Sequence, residues 1–147
     1  MPNSHHFNET EMWYLLYGLI SSASIFRALE TKVGDIRPST IFINECGQIR
    51  VANLCSWPNE KTNYEKFIFD QELTYLSPEE VEDSKQGKTN QSRDKYLCEA
   101  FTIGVTILEA GLLRGSEDLF DAKKKAFNAE ELKRRIRAWL ELEFVRE

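Results

Sequence analysis

The chain has few of the residues that mark repetitive or secreted proteins. Four prolines and seven glycines in 147 residues are too few for a collagen-like repeat or a long flexible linker. The three cysteines, Cys46, Cys55 and Cys98, are widely spaced and match neither a disulfide framework nor a zinc ribbon. This cysteine usage favours a reducing compartment, and we expect an intracellular protein that is cytoplasmic or cytoskeletal.

Long hydrophobic runs are also missing. The longest apolar run, residues 12–20, is less than half of the ~20 residues needed to cross a bilayer. Glu9 and Glu11 precede it, where a signal peptide would carry basic residues. The sequence therefore predicts neither a membrane partner nor secretion.

The composition is that of a folded protein. Hydrophobic residues make up 41% of the chain, with nine Phe, five Tyr and three Trp, and the net charge is only −5. This is inconsistent with the low hydrophobicity and high charge of disordered chains. A chain of ~150 residues can hide roughly two-thirds of its unfolded surface. We expect an N-terminal tail over 1–8 and a single domain over 9–147.

Capping and turn residues predict the first elements. Asn8 and Glu11 have the spacing of a capping box, which opens a helix over about 9–31. Two β-branched-rich segments, 40–44 and 48–52, flank a turn containing Gly47 and predict a hairpin.

The second half of the chain is predicted to be helical. The irregular segment 53–74 reads as a long loop, and Ser77-Pro78 begins a short helix with Ser at the N-cap. The apolar segment 96–113 predicts a central buried helix. Asn128 with Glu131 predicts a second capping box, opening a helix with Leu132, Ile136 and Leu140 on one face. The expected fold class is mainly α with a small β-hairpin (α+β).

Four short motifs stand in a specific order along the chain. They are Asp35-Ile36-Arg37-Pro38-Ser39-Thr40, the segment 47–55, Tyr75-Leu76-Ser77-Pro78-Glu79 and the segment 99–105. Together they resemble the catalytic loop, the strand before Asp-Phe-Gly, the end of the activation segment and the start of the central helix in the C-terminal lobe of a protein kinase. The resemblance covers about residues 9–145.

The departures from the kinase pattern imply that phosphoryl transfer has been lost. Asp35 stands at the position of the catalytic base, and Arg37 replaces the catalytic-loop Lys. Thr40 and Asn53 replace the two Mg²⁺ ligands, which weakens any metal site. The sequence has no Gly-x-Gly-x-x-Gly, and 34 residues before Asp35 are too few for an N-terminal lobe. The resemblance implies a truncated pseudokinase without metal or cofactor, in which these four positions are vestigial.

Three further matched residues are expected to be structural. Glu99 replaces the central-helix Asp and is expected to accept backbone hydrogen bonds from the loop near Val33. Glu79 and Gly104 hold the matching positions of the activation-segment and central-helix motifs. The usual Arg partner of Glu79 would lie in a part of the lobe beyond Glu147.

Candidate interface residues lie elsewhere. All three tryptophans are candidate anchors for a partner. Trp57, on the long loop, is typical of an interface hot spot, whereas Trp13 and Trp139 are more simply explained as core or edge residues. A basic run is either a solvated helix face or a docking surface for an acidic partner. Its candidate residues are Lys123, Lys124, Lys125, Arg134 and Arg135. Nucleic acid is not an expected partner.

Three functional hypotheses follow from the resemblance. The preferred one is a catalytically inactive, protein-binding or structural subunit of a heteromeric complex, because removing a covering lobe exposes apolar surface. The alternative is a metal-independent nucleotide- or phosphate-binding regulatory module around Asp35, Arg37 and Asn53. The third is a lobe completed in trans by a separate N-terminal-lobe chain.

Overall fold

The computed structural model describes residues 6–30, 36–52, 75–86, 95–121 and 126–144. Within these ranges the chain is mainly helical with two small antiparallel sheets, and the coarse α+β class is confirmed. The helices are α1 (Glu9–Ala28), α2 (Pro78–Lys85), α3 (Lys95–Leu112) and α4 (Ala129–Phe144). The strands are β1 (Ile41–Ile43), β2 (Ile49–Val51), β3 (Phe120–Asp121) and β4 (Ala126–Phe127).

Helix α1 begins at the predicted capping box. The Glu11 N–H donates to Asn8 Oδ1 at 2.9 Å, and the Asn8 N–H donates to Glu11 Oε2 at 2.8 Å. The helix ends at Ala28, before the predicted end near residue 31. Glu30 has a φ of 54°, a left-handed conformation that cannot continue a right-handed helix.

The predicted hairpin is confirmed. Strands β1 and β2 pair antiparallel, with Ile41 opposite Val51 and Ile43 opposite Ile49. The Asn44 carbonyl accepts from the Gly47 N–H at 2.8 Å, and Gly47 has a φ of 76°, which glycine adopts without strain. The second sheet, β3 with β4, is an addition that the sequence did not predict.

The core lies between α1, α3 and the hairpin. Its buried residues are Leu15, Leu19, Ile36, Ile103 and Ile107, with half-buried residues of β1, β2 and α4 packed around them. Helices α1 and α3 pack directly on each other, and α1 also packs on β2. One face of α1 is therefore covered by two different elements.

Helix α2 begins as predicted. The Glu80 N–H donates to Ser77 Oγ at 3.2 Å, and the Ser77 N–H donates to Glu80 Oε2 at 2.9 Å. The buried Ser77 hydroxyl also lies 3.3 Å from Cys98 Sγ. The start of α2 is thus attached to α3.

Helix α4 corrects one prediction. Asn128 Oδ1 accepts from the Glu131 N–H at 3.1 Å, but the Asn128 N–H donates to the Leu119 carbonyl at 2.8 Å, so only half of the predicted capping box forms. Ile136 and Leu140, predicted to share one face with Leu132, are both exposed. The face of α4 turned to the interior carries Arg135, which is 2% exposed.

Helix α3 is less completely buried than predicted. Ile103, Val105, Ile107 and Leu108 are buried, but Leu97 at its start is 70% exposed. The helix therefore has one core face and one solvent face.

Gly18 lets the hairpin lie close to α1. A Cβ at this position would lie 2.6 Å from Ile49 Cδ1 and 2.9 Å from Ile49 Cβ. We expect Gly18→Ala to lower the free energy of unfolding by about 1–3 kcal/mol, since overpacking outweighs the gain in helix propensity. Urea unfolding followed by tryptophan fluorescence measures the change.

Gly104, exposed within α3, provides the matched control. No atom outside its own helix backbone lies within 4 Å of a Cβ built there. Gly104→Ala should stabilise the fold by up to about 1 kcal/mol. Ile49→Val, which removes Cδ1, should recover part of the Gly18→Ala loss. A stabilising Gly18→Ala would contradict the close approach.

Candidate functional site

The loop that resembles a catalytic loop is closed by its own hydrogen bonds. Residues Pro38–Thr40 form a 3-10 turn in which the Thr40 N–H donates to the Arg37 carbonyl at 2.9 Å. The buried Thr40 hydroxyl donates to the same carbonyl at 3.0 Å and accepts from the Arg37 N–H at 3.1 Å. The Thr40 hydroxyl therefore stabilises the turn both as donor and as acceptor.

Both ends of this turn are attached to the core. Ile36 is fully buried, and its carbonyl accepts from Thr106 Oγ1 at 3.2 Å. On the other side, the Ala52 N–H donates to the Thr40 carbonyl at 2.8 Å. The turn is thus held between α3 and the chain that leaves β2.

Two of the four vestigial positions lie together in the structure. Arg37 and Thr40 share the turn, and the Arg37 guanidinium lies 6.0 Å from the centre of the Tyr75 ring. That distance is at the outer limit of a cation–π interaction. Asp35 and Asn53 lie outside the described residues.

Tyr75 is joined to α3 through a carboxylate. Its hydroxyl donates to Glu109, which also accepts from Ser116 Oγ at 2.7 Å. The pKa of Tyr75 is raised well above its ordinary value. Burial is the largest cause, and the hydrogen bond to Glu109 is the second. The Tyr75 carbonyl accepts from Thr102 Oγ1 at 2.9 Å. Tyr75 is thereby fixed by its side chain and its backbone.

The three residues expected to be structural differ in exposure. Glu99 is buried at 5% exposure, whereas Glu79 is exposed. Gly104 is exposed on α3. Val33, near which Glu99 was expected to bind, lies outside the described residues, so that role stays a prediction.

Arg135 is not part of an exposed basic surface. Its guanidinium donates to the Gly115 carbonyl at 2.6 Å and to the Asp118 carboxylate. Its Nε lies 3.3 Å from Glu131 Oε1. A buried guanidinium requires such partners, and they turn Arg135 inward. Arg134, in contrast, is exposed and pairs with Glu131 at 2.6 Å. Lys123, Lys124, Lys125 and Trp57 lie outside the described residues.

Three arginines surround the Glu131 carboxylate. Hydrogen bonds from Arg134 and Arg135, together with the nearby charge of Arg114, lower the pKa of Glu131 to about 2. Its carboxylate therefore stays ionised well below the ordinary glutamate pKa of 4.5.

Helix α1 carries a second apolar face, which we call the outer face. Trp13 is 63% exposed and Tyr17 72% exposed, and Tyr14, Ile20 and Ile25 are exposed beside them. The prediction that Trp13 lies in the core or at its edge is wrong. The missed signal is that α1 is apolar at 13, 17 and 20 as well as at its buried positions 15 and 19, which one-sided packing does not require.

Other kinds of site have no support among the described residues. No group of three or more His, Cys, Asp or Glu side chains there is arranged to hold a metal ion. No helix in the same ranges is both long and apolar enough to cross a membrane. Cys46 is exposed, and Cys98 is buried against Ser77.

Comparison with known proteins identifies no relative. The chain matches no protein-family model, no curated protein and no solved structure.

Replacing Arg135 should destabilise the fold. Arg135→Met leaves the Gly115 carbonyl and the Asp118 carboxylate without their buried donor, and we expect a loss of about 2–3 kcal/mol in the free energy of unfolding. Arg134→Met removes an exposed partner of the same glutamate and should cost at most about 0.5 kcal/mol. Equal losses for the two variants in urea unfolding would contradict the internal role of Arg135.

Replacing Glu131 should have a pH-dependent effect. The lowered pKa stabilises the folded state above the ordinary glutamate value of 4.5, and this contribution disappears as the pH falls towards 2. Glu131→Gln should therefore destabilise the protein at neutral pH and have a shrinking effect below pH 4.5. Urea unfolding over this pH range measures it, with Glu141→Gln, at an exposed position of the same helix, as the control. A difference from the unmodified protein that stays constant with pH would exclude this linkage.

Proposed function

We propose that the chain is a degenerate, non-catalytic domain similar to a kinase C-terminal lobe, and that it serves as a protein-binding structural subunit of a larger assembly. The outer face of α1 is its binding face. The exposed aromatic side chains of that face, led by Trp13 and Tyr17, carry the proposal.

The amount and type of exposed surface support protein binding. Monomeric proteins rarely expose contiguous apolar patches beyond a few hundred Å². Trp and Tyr are also enriched among the residues that dominate binding energy at interfaces. Trp13, Tyr14 and Tyr17 lie within two turns of one helix, and each is more than half exposed. A second protein chain is the simplest cover for such a face.

The order of the elements supports the kinase-like part of the proposal. Each of the four motifs coincides with an ordered feature of the structure. In chain order these are the turn at Pro38–Thr40, the β1–β2 hairpin, the start of α2 at Ser77 and the buried Glu99 on α3. The internal hydrogen bonds of Thr40 favour a structural role for a loop that in kinases binds metal and substrate.

A matched pair of variants tests the binding face. Tyr17→Glu puts a charge on the outer face, whereas Leu97→Glu changes an equally exposed residue on α3. We expect the tagged chain, isolated gently from its source, to appear by native mass spectrometry in a complex of defined stoichiometry. Leu97→Glu should keep that complex, and Tyr17→Glu should lose it.

Circular dichroism and urea unfolding establish that both variants are folded. A free chain of 17.1 kDa for the unmodified protein would overturn the proposal. A complex that survives Tyr17→Glu would show that the outer face is not the binding face.

A further inference from the structure

We propose that the outer face of α1 binds α1 of a second copy of this chain in an antiparallel helix pair. This inference rests on the proposed function and names the chain that covers the face. The observations that carry it are the spacing, size and charge of the exposed residues of α1.

The outer face has the spacing of a coiled-coil seam. Exposed residues follow each other at intervals of three and four along α1, and we call them the seam: Thr10, Trp13, Tyr17, Ile20, Ser24 and Arg27. Alternating steps of three and four are the spacing by which two helices pack along a shared line, and the apolar seam residues Trp13, Tyr17 and Ile20 occupy its middle. The buried residues Leu15 and Leu19 lie on a different face of the helix, so pairing along the seam leaves the core intact.

The seam is complementary to itself when the second helix runs antiparallel. In the heptad register, Trp13 lies opposite Ser24 of the second copy, and Tyr17 lies opposite Ile20 of the second copy. The largest seam side chain thus meets a small one, which interdigitating helices require. By the two-fold symmetry of the pair, each of these contacts occurs twice.

Two of the donors that the pair would bury already have acceptors. The Ser24 hydroxyl already donates to the Ile20 carbonyl at 2.8 Å, and the Trp13 Nε1–H donates to Glu9 Oε1 at 3.2 Å. A buried donor without an acceptor would cost about 1–3 kcal/mol. Trp13 can therefore cover Ser24 of the second copy without that penalty.

Charged residues lie near both ends of the seam. Glu9, beside the seam, and Arg27, its last residue, lie on the same side of α1, and the Arg27 guanidinium is exposed while lying 4.4 Å from the centre of the Tyr96 ring. An antiparallel partner brings Arg27 of the second copy near Glu9, and the reverse. Tyr14 and Ile25 lie on the other edge and meet in the same way. A parallel pair would instead place Glu9 against Glu9 of the second copy and Arg27 against Arg27 of the second copy.

The available area suits a weak, specific dimer. Trp13, Tyr14, Tyr17, Ile20 and Ile25 are each about half exposed or more. With aromatic side chains of 150–250 Å², they expose on the order of 500 Å² per chain. Burying this on both copies gives roughly 1,000 Å² in total, the lower limit for a specific interface. We expect dissociation constants in the micromolar range.

Charge reversal tests the pairing and its direction. Analytical ultracentrifugation of the purified full chain over a concentration series gives the dissociation constant. Glu9→Lys alone and Arg27→Glu alone each place like charges at both ends of an antiparallel pair, and each should weaken dimerisation by up to about tenfold. The double variant Glu9→Lys/Arg27→Glu restores opposite charges at both ends and should dimerise more tightly than either single variant. It should stay weaker than the unmodified chain, because it lacks the Glu9 acceptor of Trp13.

The double variant separates pairing from helix stability. Lys near the start of a helix and Glu near its end both oppose the helix dipole, so their effects on α1 itself add rather than cancel. Ser24 is exposed, and glutamine has a higher helix propensity than serine, so Ser24→Gln should leave α1 folded. The variant should still abolish the dimer, because the larger side chain fills the space that Trp13 of the second copy needs. Leu97→Glu should leave it unchanged.

The outcomes distinguish this inference from the proposed function. The antiparallel pair is supported if each single charge variant weakens the dimer and the double variant dimerises more tightly than either of them. A monomer at every concentration, or single variants without effect, overturns it. If the purified chain is monomeric but its complex from the source still depends on Tyr17, then the outer face binds another protein, and the proposed function stands while this inference fails.

Discussion

The packing of α1 on α3 is the contact on which the other elements depend. Leu15 and Leu19 of α1 meet Ile103 and Ile107 of α3, and Ile36 fills the space beside them. The hairpin then packs on α1 where Gly18 allows it, and the turn at Pro38–Thr40 is held against α3 through the Ile36 carbonyl. Both neighbours of α1 cover the same side of the helix. No element of the described part of the chain covers the apolar residues of the outer face.

Local sequence rules predicted the starts of α1 and α2 and the turn of the hairpin. The caps at Asn8 and Ser77 and the hairpin turn at Gly47 depend on hydrogen bonds or backbone angles within a few residues. The same rules could not place Arg135, because its partners Gly115 and Asp118 are distant in sequence. A pattern of charges indicates a helix face but not what that face packs against.

The outer face of α1 shows a second limit of sequence patterns. A tryptophan on a helix is most simply a core or edge residue, and that interpretation put Trp13 in the core or at its edge. The structure covers one face of α1 and leaves the other exposed, which a single chain's periodicity cannot distinguish. Similarly, Thr40 was interpreted as the remnant of a Mg²⁺ ligand, and the hydrogen bonds of the turn give its hydroxyl a different use.

Because Ser77 lies against Cys98, the reactivity of the Cys98 thiol reveals local opening of the structure. Cys46, on the hairpin turn, is exposed and should react with alkylating reagents at once, whereas Cys98 is buried under the start of α2. The Cys98 thiol becomes accessible when α2 separates from α3, so its rate of alkylation follows the frequency of that motion. Thiol chemistry can thus measure the stability of one junction independently of global unfolding.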